Sequence, residues 1–448
     1  MNTLDSKSEY LPPGKLFLLA LQHVLVMYAG AIATPLIVGA ALNLPKEQIA
    51  YLINADLMAG GLVTLIQTIG WRGVGIRLPI MMGVTFTAIG PMIAIGTNPE
   101  MGLLGVYGAT IAAGVFGLIV APFVGKLLRY FPPIVTGTEI LLVGLSLMGV
   151  AATWAGGGYG SADFGNPVHL LIAGAVLAFV LVLVRKDRGM LSTLSILLAL
   201  VFGVIIAIPL GQVSFAGLHD APWLGVITPL HFGTPTFSFW AVAAMCVVML
   251  VTFIESTGMF LAIGEIVGKP VTQQDLVRGF RADSLGSVVG GVFNTFPYTS
   301  FAQNVGLVAM TGVRSRWVCA AGGLILMLLG MLPKLAVIVA SVPPSVLGGT
   351  GIVMFGMVAA SGIRTLTKVD FSRHQNLYIV AISIGIGMIP VVSDKFFAKL
   401  PSAVAPVLSS SILLAAISAV LLNLFFNGAT SDEEATASAL EMARAEAL

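Results

Sequence analysis

Apolar residues fill this chain in long blocks, separated by short polar stretches. A helix needs about 20 such residues to cross a membrane, and fourteen blocks meet that requirement. The first seven lie near 16–42, 48–70, 78–96, 102–124, 132–151, 167–184 and 190–209. The second seven lie near 238–262, 276–293, 297–312, 318–340, 343–361, 375–392 and 405–426. The pattern predicts an all-α polytopic membrane protein with a first repeat over 1–210, a connecting loop over 211–237, a second repeat over 238–428 and a cytoplasmic tail over 429–448. The first block starts near Leu16 and continues past Gly39. That exceeds the roughly 7–15 residues of a signal-peptide core, so it reads as a retained span.

Charge gives the map an orientation. With the N-terminus in the cytoplasm, 18 of the 22 Lys and Arg residues fall on the inner side, leaving Lys46, Lys334, Lys395 and Lys399 outside. One missed or invented span would scramble that bias, because each span inverts the side of everything after it. The expected protein is therefore a multi-pass protein of the cytoplasmic (inner) membrane with both termini cytoplasmic.

Composition narrows the function classes. Of the 448 residues, 57% are hydrophobic and 9% charged, against about 25% charged in a soluble domain. The lipid bilayer is thus a partner. The net charge of +2 comes from scattered basic residues, which form no stripe for nucleic acid. Cys246 and Cys319 both sit in apolar runs and read as small buried hydrophobes. No nucleophile elbow, Walker loop, zinc-ligand spacing or dinucleotide fingerprint occurs. Neither an enzyme nor a metal or organic cofactor is expected.

Seven spans per half is an odd number, so the halves must be inverted relative to each other. Inverted repeats put substrate near the midplane, where interrupted helices from equivalent positions meet. The third and tenth blocks are equivalent and share one anomaly. The third runs Met82-Gly-Val-Thr-Phe-Thr-Ala-Ile-Gly-Pro91, and the tenth contains Phe296-Pro-Tyr-Thr-Ser-Phe-Ala-Gln303. Both are rich in residues that favour extended backbone and are punctuated by Gly or Pro. Lipid tolerates unwound backbone only where protein or a cavity satisfies it. Two short antiparallel β pieces pairing with each other would do so, and each would feed a half-helix whose N-terminus presents N–H groups to a ligand.

Buried ionisable residues mark the chemistry. Glu255 lies well inside the eighth block, where a carboxylate is costly and usually functional. Removal from water favours its neutral form, so it suits a proton gained and lost in each cycle. Asp283, near the start of the ninth span and close to Arg281, is either a helix-start carboxylate or a second acid in a proton path. Gln22 and His23 form a polar pair on the first span, with helix linking or proton relay as roles for His23. Asp56 and Glu139 are intramembrane acids with no motif beside them.

Gln303-Asn304-Val305-Gly306, followed by Thr311-Gly312, matches the signature Gln/Glu/Pro-Asn-x-Gly…Thr of the nucleobase–ascorbate transporters, also called nucleobase–cation symporters of the second type. Gln22-His23, Glu255 and Arg281-Ala-Asp283 support the match, and nearly the whole chain resembles bacterial uric acid and xanthine permeases. The resemblance implies a core domain of segments 1–4 and 8–11, a gate domain of segments 5–7 and 12–14, proton-coupled uptake and a homodimer. Glu255 and Gln303 would bind a purine, Phe86 would lie against its ring, and the Ala302 backbone would contact it. Asp283, His23, Asn304 and Gln22 would support binding or proton coupling.

Uracil-type members carry Glu at the position of Gln303 and His at that of Met259, so both departures favour an oxidised purine. Glutamine both donates and accepts, whereas ionised Glu only accepts. Gly312 is xanthine-like while the rest of the chain is urate-like, which leaves both purines as candidates. Alternatives are a uracil or other nucleobase permease of the same family, an inorganic-anion exchanger of the same seven-plus-seven plan, and a channel or scaffold without coupled transport.

Overall fold

Prolines open many of the helices and glycines close several. Pro13, Pro133, Pro333 and Pro344 stand in the first turn of their helices, where a missing N–H costs nothing. Gly268 and Gly312 end theirs in the left-handed conformation, with φ of 74° and 65°, which lacks a Cβ penalty only for glycine. The resulting computed structural model describes residues 11–186, 189–215, 217–393, 395–401 and 404–429. Most of the expected tail, together with Lys7, Arg188 and Arg444 of the charge pattern, lies outside the described residues.

The first half comprises α1 (Pro13–Ala41), α2 (Lys46–Ile69), strand β1 (Met82–Val84), α3 (Ile89–Gly96), α4 (Gly102–Val120), α5 (Pro133–Ala155), α6 (Pro167–Lys186) and α7 (Ser195–Ala207). The second comprises α8 (Phe239–Val267), α9 (Gln273–Val292), strand β2 (Tyr298–Ser300), α10 (Ala302–Thr311), α11 (Arg316–Gly330), α12 (Pro333–Ala340), α13 (Pro344–Leu366), α14 (His374–Val392) and α15 (Ser411–Phe426). The protein is mostly helical, at 72%. Among the described residues, eight helices are long and apolar enough to cross a membrane by themselves, or nine if α11 and α12, bent by 82° at their junction, make one span. The remaining blocks hold shorter helices, α3, α7, α10 and α15, and the 20-residue α9, which is long enough but too polar.

Packing divides the helices into two groups. In one, α2 lies along α11, α4 along α9 and α8, and α1 against α2 and α11. In the other, α5 lies along α13, and α14, α15, α6 and α7 pack around that pair. Contacts follow a two-fold pattern: α1 meets both α3 and α10, and so does α8. Few helices bridge the groups, chiefly α1 with α7 and α8 with α15.

β1 and β2 meet inside the first group as an antiparallel pair, with Met82 opposite Ser300, Gly83 opposite Thr299 and Val84 opposite Tyr298. Thr85 N–H donates to Pro297 C=O and Phe301 N–H to Met81 C=O, both at 3.0 Å. Their outer edges are closed by hydroxyls: Met82 N–H donates to Thr64 Oγ1 on α2 at 3.0 Å, and Tyr298 N–H to Ser287 Oγ on α9 at 3.3 Å. Each hydroxyl donates in turn to the carbonyl four residues earlier, Gly60 or Asp283. Buried unwound backbone thus keeps its hydrogen bonds.

Two sequence expectations are corrected. α9 starts at Gln273, ahead of the apolar block, because Thr272 and Asp275 form a reciprocal capping box there. Asp283 is consequently mid-helix, and Arg281 turns away to donate to Gly73 C=O at 3.3 Å. The seventh block is also interrupted, with Met190–Thr193 preceding α7.

Candidate functional site

The two strands release their chains into helices at opposite ends of the antiparallel pair. Phe86 follows β1, and Ala302 and Gln303 begin α10 immediately after β2. Neighbouring positions 81–85 and 298–301 are buried, yet Ala302 and Gln303 are exposed and Phe86 and Glu255 are partly so. No side chain caps the N-terminus of α10; Asn304 N–H donates to Phe301 C=O at 3.2 Å, which leaves the N–H groups of Ala302 and Gln303 to offer to a polar ligand.

Glu255 is held from one side. Thr87 Oγ1 donates to its Oε1 at 2.6 Å and Thr85 Oγ1 to its Oε2 at 3.3 Å. The two threonines flank Phe86, so Glu255 and Phe86 share one wall. Thr85 Oγ1 also accepts from Thr87 N–H at 3.3 Å, turning the chain after β1. Phe86 meets Phe355 of α13 edge to face, ring centroids 6.2 Å apart.

The supporting residues lie behind that wall. Asn304 Nδ2 donates to His23 Nδ1, and Asn304 Oδ1 accepts from Met81 N–H at 2.9 Å. One amide thereby ties α10, α1 and the chain entering β1. Asp283 Oδ1 accepts from Gln67 Nε2 at 2.9 Å; Gln67 Oε1 accepts from Ile76 N–H at 3.0 Å. Ser256, next to Glu255, bonds Thr299 at 3.2 Å and reaches Asp283. Gln22 stands apart from this cluster, on another face of α1, where its amide contacts Met190 Sδ at 2.9 Å.

Residue-by-residue reading of the sequence missed Thr85, Thr87 and Gln67. Thr85 carries a signal, since threonine is a preferred N-cap and here it caps the helical turn Phe86–Ala88 that holds Thr87. Gln67 has none, because its partners are distant in the chain and the helix around it is otherwise ordinary.

A family model described as "Permease family" matches residues 14–396. The uric acid transporter UacT of Escherichia coli (strain K12) is 54% identical over 426 residues, covering 95% of this chain and 88% of that protein. The xanthine permease of Bacillus subtilis (strain 168) is 43% identical over 414 residues, covering 92% and 94%. Among solved structures, the transmembrane domain of a cyanobacterium bicarbonate transporter, BicA, has a TM-score of 0.61 at 15% identity, covering 92% of this chain and 98% of that one. At that identity the likeness speaks for the fold alone.

Proposed function

From the premise that this chain belongs to the permease family of nucleobase–ascorbate transporters, we propose that it imports oxidised purines, uric acid or xanthine or both, together with protons. The observation that carries this reading is a braced carboxylate at the paired helix break. Glu255 is held by Thr85 and Thr87 on either side of Phe86, and Ala302 and Gln303 stand exposed where α10 leaves the partner strand. A planar base there lies against Phe86, gives its ring N–H groups to Glu255 and exchanges hydrogen bonds with the Gln303 amide and the α10 backbone. Such a site pairs an apolar face with a few convergent polar groups. The names of the relatives, a uric acid transporter and a xanthine permease, support the substrate class.

The proposed architecture is fourteen membrane-crossing segments in two inverted repeats, with α11 and α12 as one broken segment. Three matched pairs of features support it: α2 on α11 with α4 on α9, α1 with α8 against both half-helices, and Thr64 with Ser287 closing the strands. The core domain corresponds to the group holding both strands and the gate domain to the group around α5 and α13. Elevator-like movement of core against gate carries the site across the inner membrane. Both termini are cytoplasmic, and the protein works as a homodimer. A buried carboxylate beside the bare helix N-terminus disfavours the inorganic-anion alternative, since it repels the ion that such an exchanger holds.

The test is uptake of labelled uric acid and labelled xanthine into proteoliposomes, each competed by the other and by uracil, with and without a proton gradient. Gradient-dependent accumulation of at least one purine, insensitive to uracil, is expected. Accumulation of uracil in preference to both purines would overturn the substrate assignment.

A further inference from the structure

Gln22 and His23 are adjacent in the chain and face different ways in the fold. His23 is 2% exposed and turns into the group that holds the strands, where Asn304 bonds it. Gln22 turns toward the other group. It begins a stripe on α1 that continues through Ala29, Ala33 and Leu36, at intervals of seven, four and three residues, which is one face of a helix. Along that stripe α1 meets Leu200 of α7 and Gly351 of α13 across an apolar gap. Small and aliphatic side chains set no fixed register there, because apolar attraction is non-directional.

Directional contacts across this seam lie at one end of it. Gln22 Nε2 donates to Met190 Sδ at 2.9 Å. Met190 opens the short helix Met190–Thr193, which lies against α6 and α7 and so belongs to the group around α5 and α13. Thr193, at the other end of that helix, brings its hydroxyl to Met310 Sδ at 3.9 Å and shares its hydrogen with Gly189 C=O at 3.2 Å. Met310 lies in α10, in the group that holds the strands. Each group thus supplies one donor and one thioether sulfur. Lys15 on α1, Arg185 and Lys186 at the end of α6 and Arg314 just past α10 mark the same ends of their helices, the cytoplasmic side in the proposed orientation.

We propose that the helix Met190–Thr193 is a latch that holds the cytoplasmic end of the seam closed, with Gln22, Met190, Thr193 and Met310 as its contact residues. A thioether sulfur is a weak, uncharged acceptor, and the unbranched methionine side chain adapts to a shifting partner. Bonds of that strength can be made and broken in every cycle, whereas an ion pair at the same place would hold the groups in one position. The interruption of the seventh block fits this role, since the short helix can swing free while α7 stays packed. The latch rests on the proposed movement of core against gate and names the residues that release it toward the cytoplasm.

The experiment uses the full chain in proteoliposomes. A protein carrying both Gln22→Cys and Met190→Cys is joined by a short bifunctional methanethiosulfonate, with each single variant treated alike to account for Cys246 and Cys319. Uptake of labelled purine should be lost in the joined protein and restored by a reductant. Hydrogen exchange in detergent reads the latch without transport. Gln22→Leu and Met190→Leu each remove one partner of the same bond while keeping the bulk, and each should raise amide exchange severalfold over 190–194 and 302–311. The double variant should exchange no faster than either single one, as coupled partners require. A joined protein that carries purine as fast as its reduced form overturns the latch, and so do leucine variants whose exchange is unchanged or additive. If the double cysteine protein folds poorly, the leucine variants decide the matter. Failure of the unsubstituted protein to accumulate any purine would instead defeat the transport reading, while the exchange arm still tests the latch.

Discussion

Tyr298 donates its phenol hydroxyl to Asp56 Oδ1 at 2.6 Å, joining the start of β2 to the middle of α2. Both residues are buried, and Thr295 adds a second donor to the same oxygen at 3.1 Å. Asp56 thus has a place in the fold as an anchor for the strand pair. Tyr298→Phe removes the shorter bond and leaves the carboxylate under-satisfied, an expected loss of about 1–3 kcal/mol. Thermal unfolding in detergent measures it. An unchanged Tm with weakened purine binding would move Asp56 from the scaffold to the site.

Gln67 makes a comparable tie between α2 and α9, and its two ends face opposite needs. Its Nε2 serves Asp283 and the Gly279 carbonyl, and its Oε1 serves Ile76 N–H. Gln67→Leu leaves Ile76 N–H without a partner and takes the amide donor from Asp283 Oδ1, and should cost about 1–3 kcal/mol. Gln67→Glu tests the charge directly. It sets two carboxylates against each other, which can coexist only if one is protonated. That variant should be more stable at low pH and lose stability as pH rises, a trend readable from Tm against pH.

Much of this arrangement was legible in the sequence because membrane insertion writes itself into local composition. Long apolar blocks gave the helical membrane class, and Gln303-Asn304-x-Gly306 with Glu255 gave the permease family. The helix start at Gln273 was hidden because hydropathy follows burial in lipid, whereas a capping box follows backbone hydrogen bonding. Pairings such as Tyr298 with Asp56 are set by how helices stack, which one sequence does not encode locally.

The strand pair also depends on two glycines. Phe301 lies over β1, and a Cβ on either Gly83 or Gly30 would run into its ring. Gly83→Ala should therefore displace Phe301 and with it the start of α10, lowering both folded yield and purine affinity. Overpacking of this kind costs about 1–3 kcal/mol. Combining it with Phe301→Leu should recover part of the loss, and additive defects in yield would show that the ring is not what Gly83 accommodates.

Glu255→Gln keeps the size and hydrogen-bonding capacity of the side chain while removing its proton chemistry. The amide oxygen still accepts from Thr87 and the amide NH2 can donate to the Thr85 hydroxyl oxygen, so the fold should be retained. Gradient-driven accumulation should be lost, and uptake that still concentrates purine against a gradient would remove Glu255 from proton coupling.

Gln303→Glu addresses the substrate. The side chain is exposed at the first turn of α10, where a carboxylate is stabilised by the helix N-terminus. The variant should therefore fold, and its acid should be ionised. An ionised carboxylate only accepts hydrogen bonds, so it cannot donate to a purine carbonyl and repels that oxygen instead. The loss of about 1–3 kcal/mol corresponds to roughly a 5- to 150-fold weaker purine affinity. The family resemblance places a glutamate at this position in uracil-type members, so uracil should gain as a competitor while uric acid and xanthine decline. Competition of labelled purine uptake by uracil measures the exchange. Equal weakening of all three ligands would mean that Gln303 supports the shape of the site rather than reading the edge of the base.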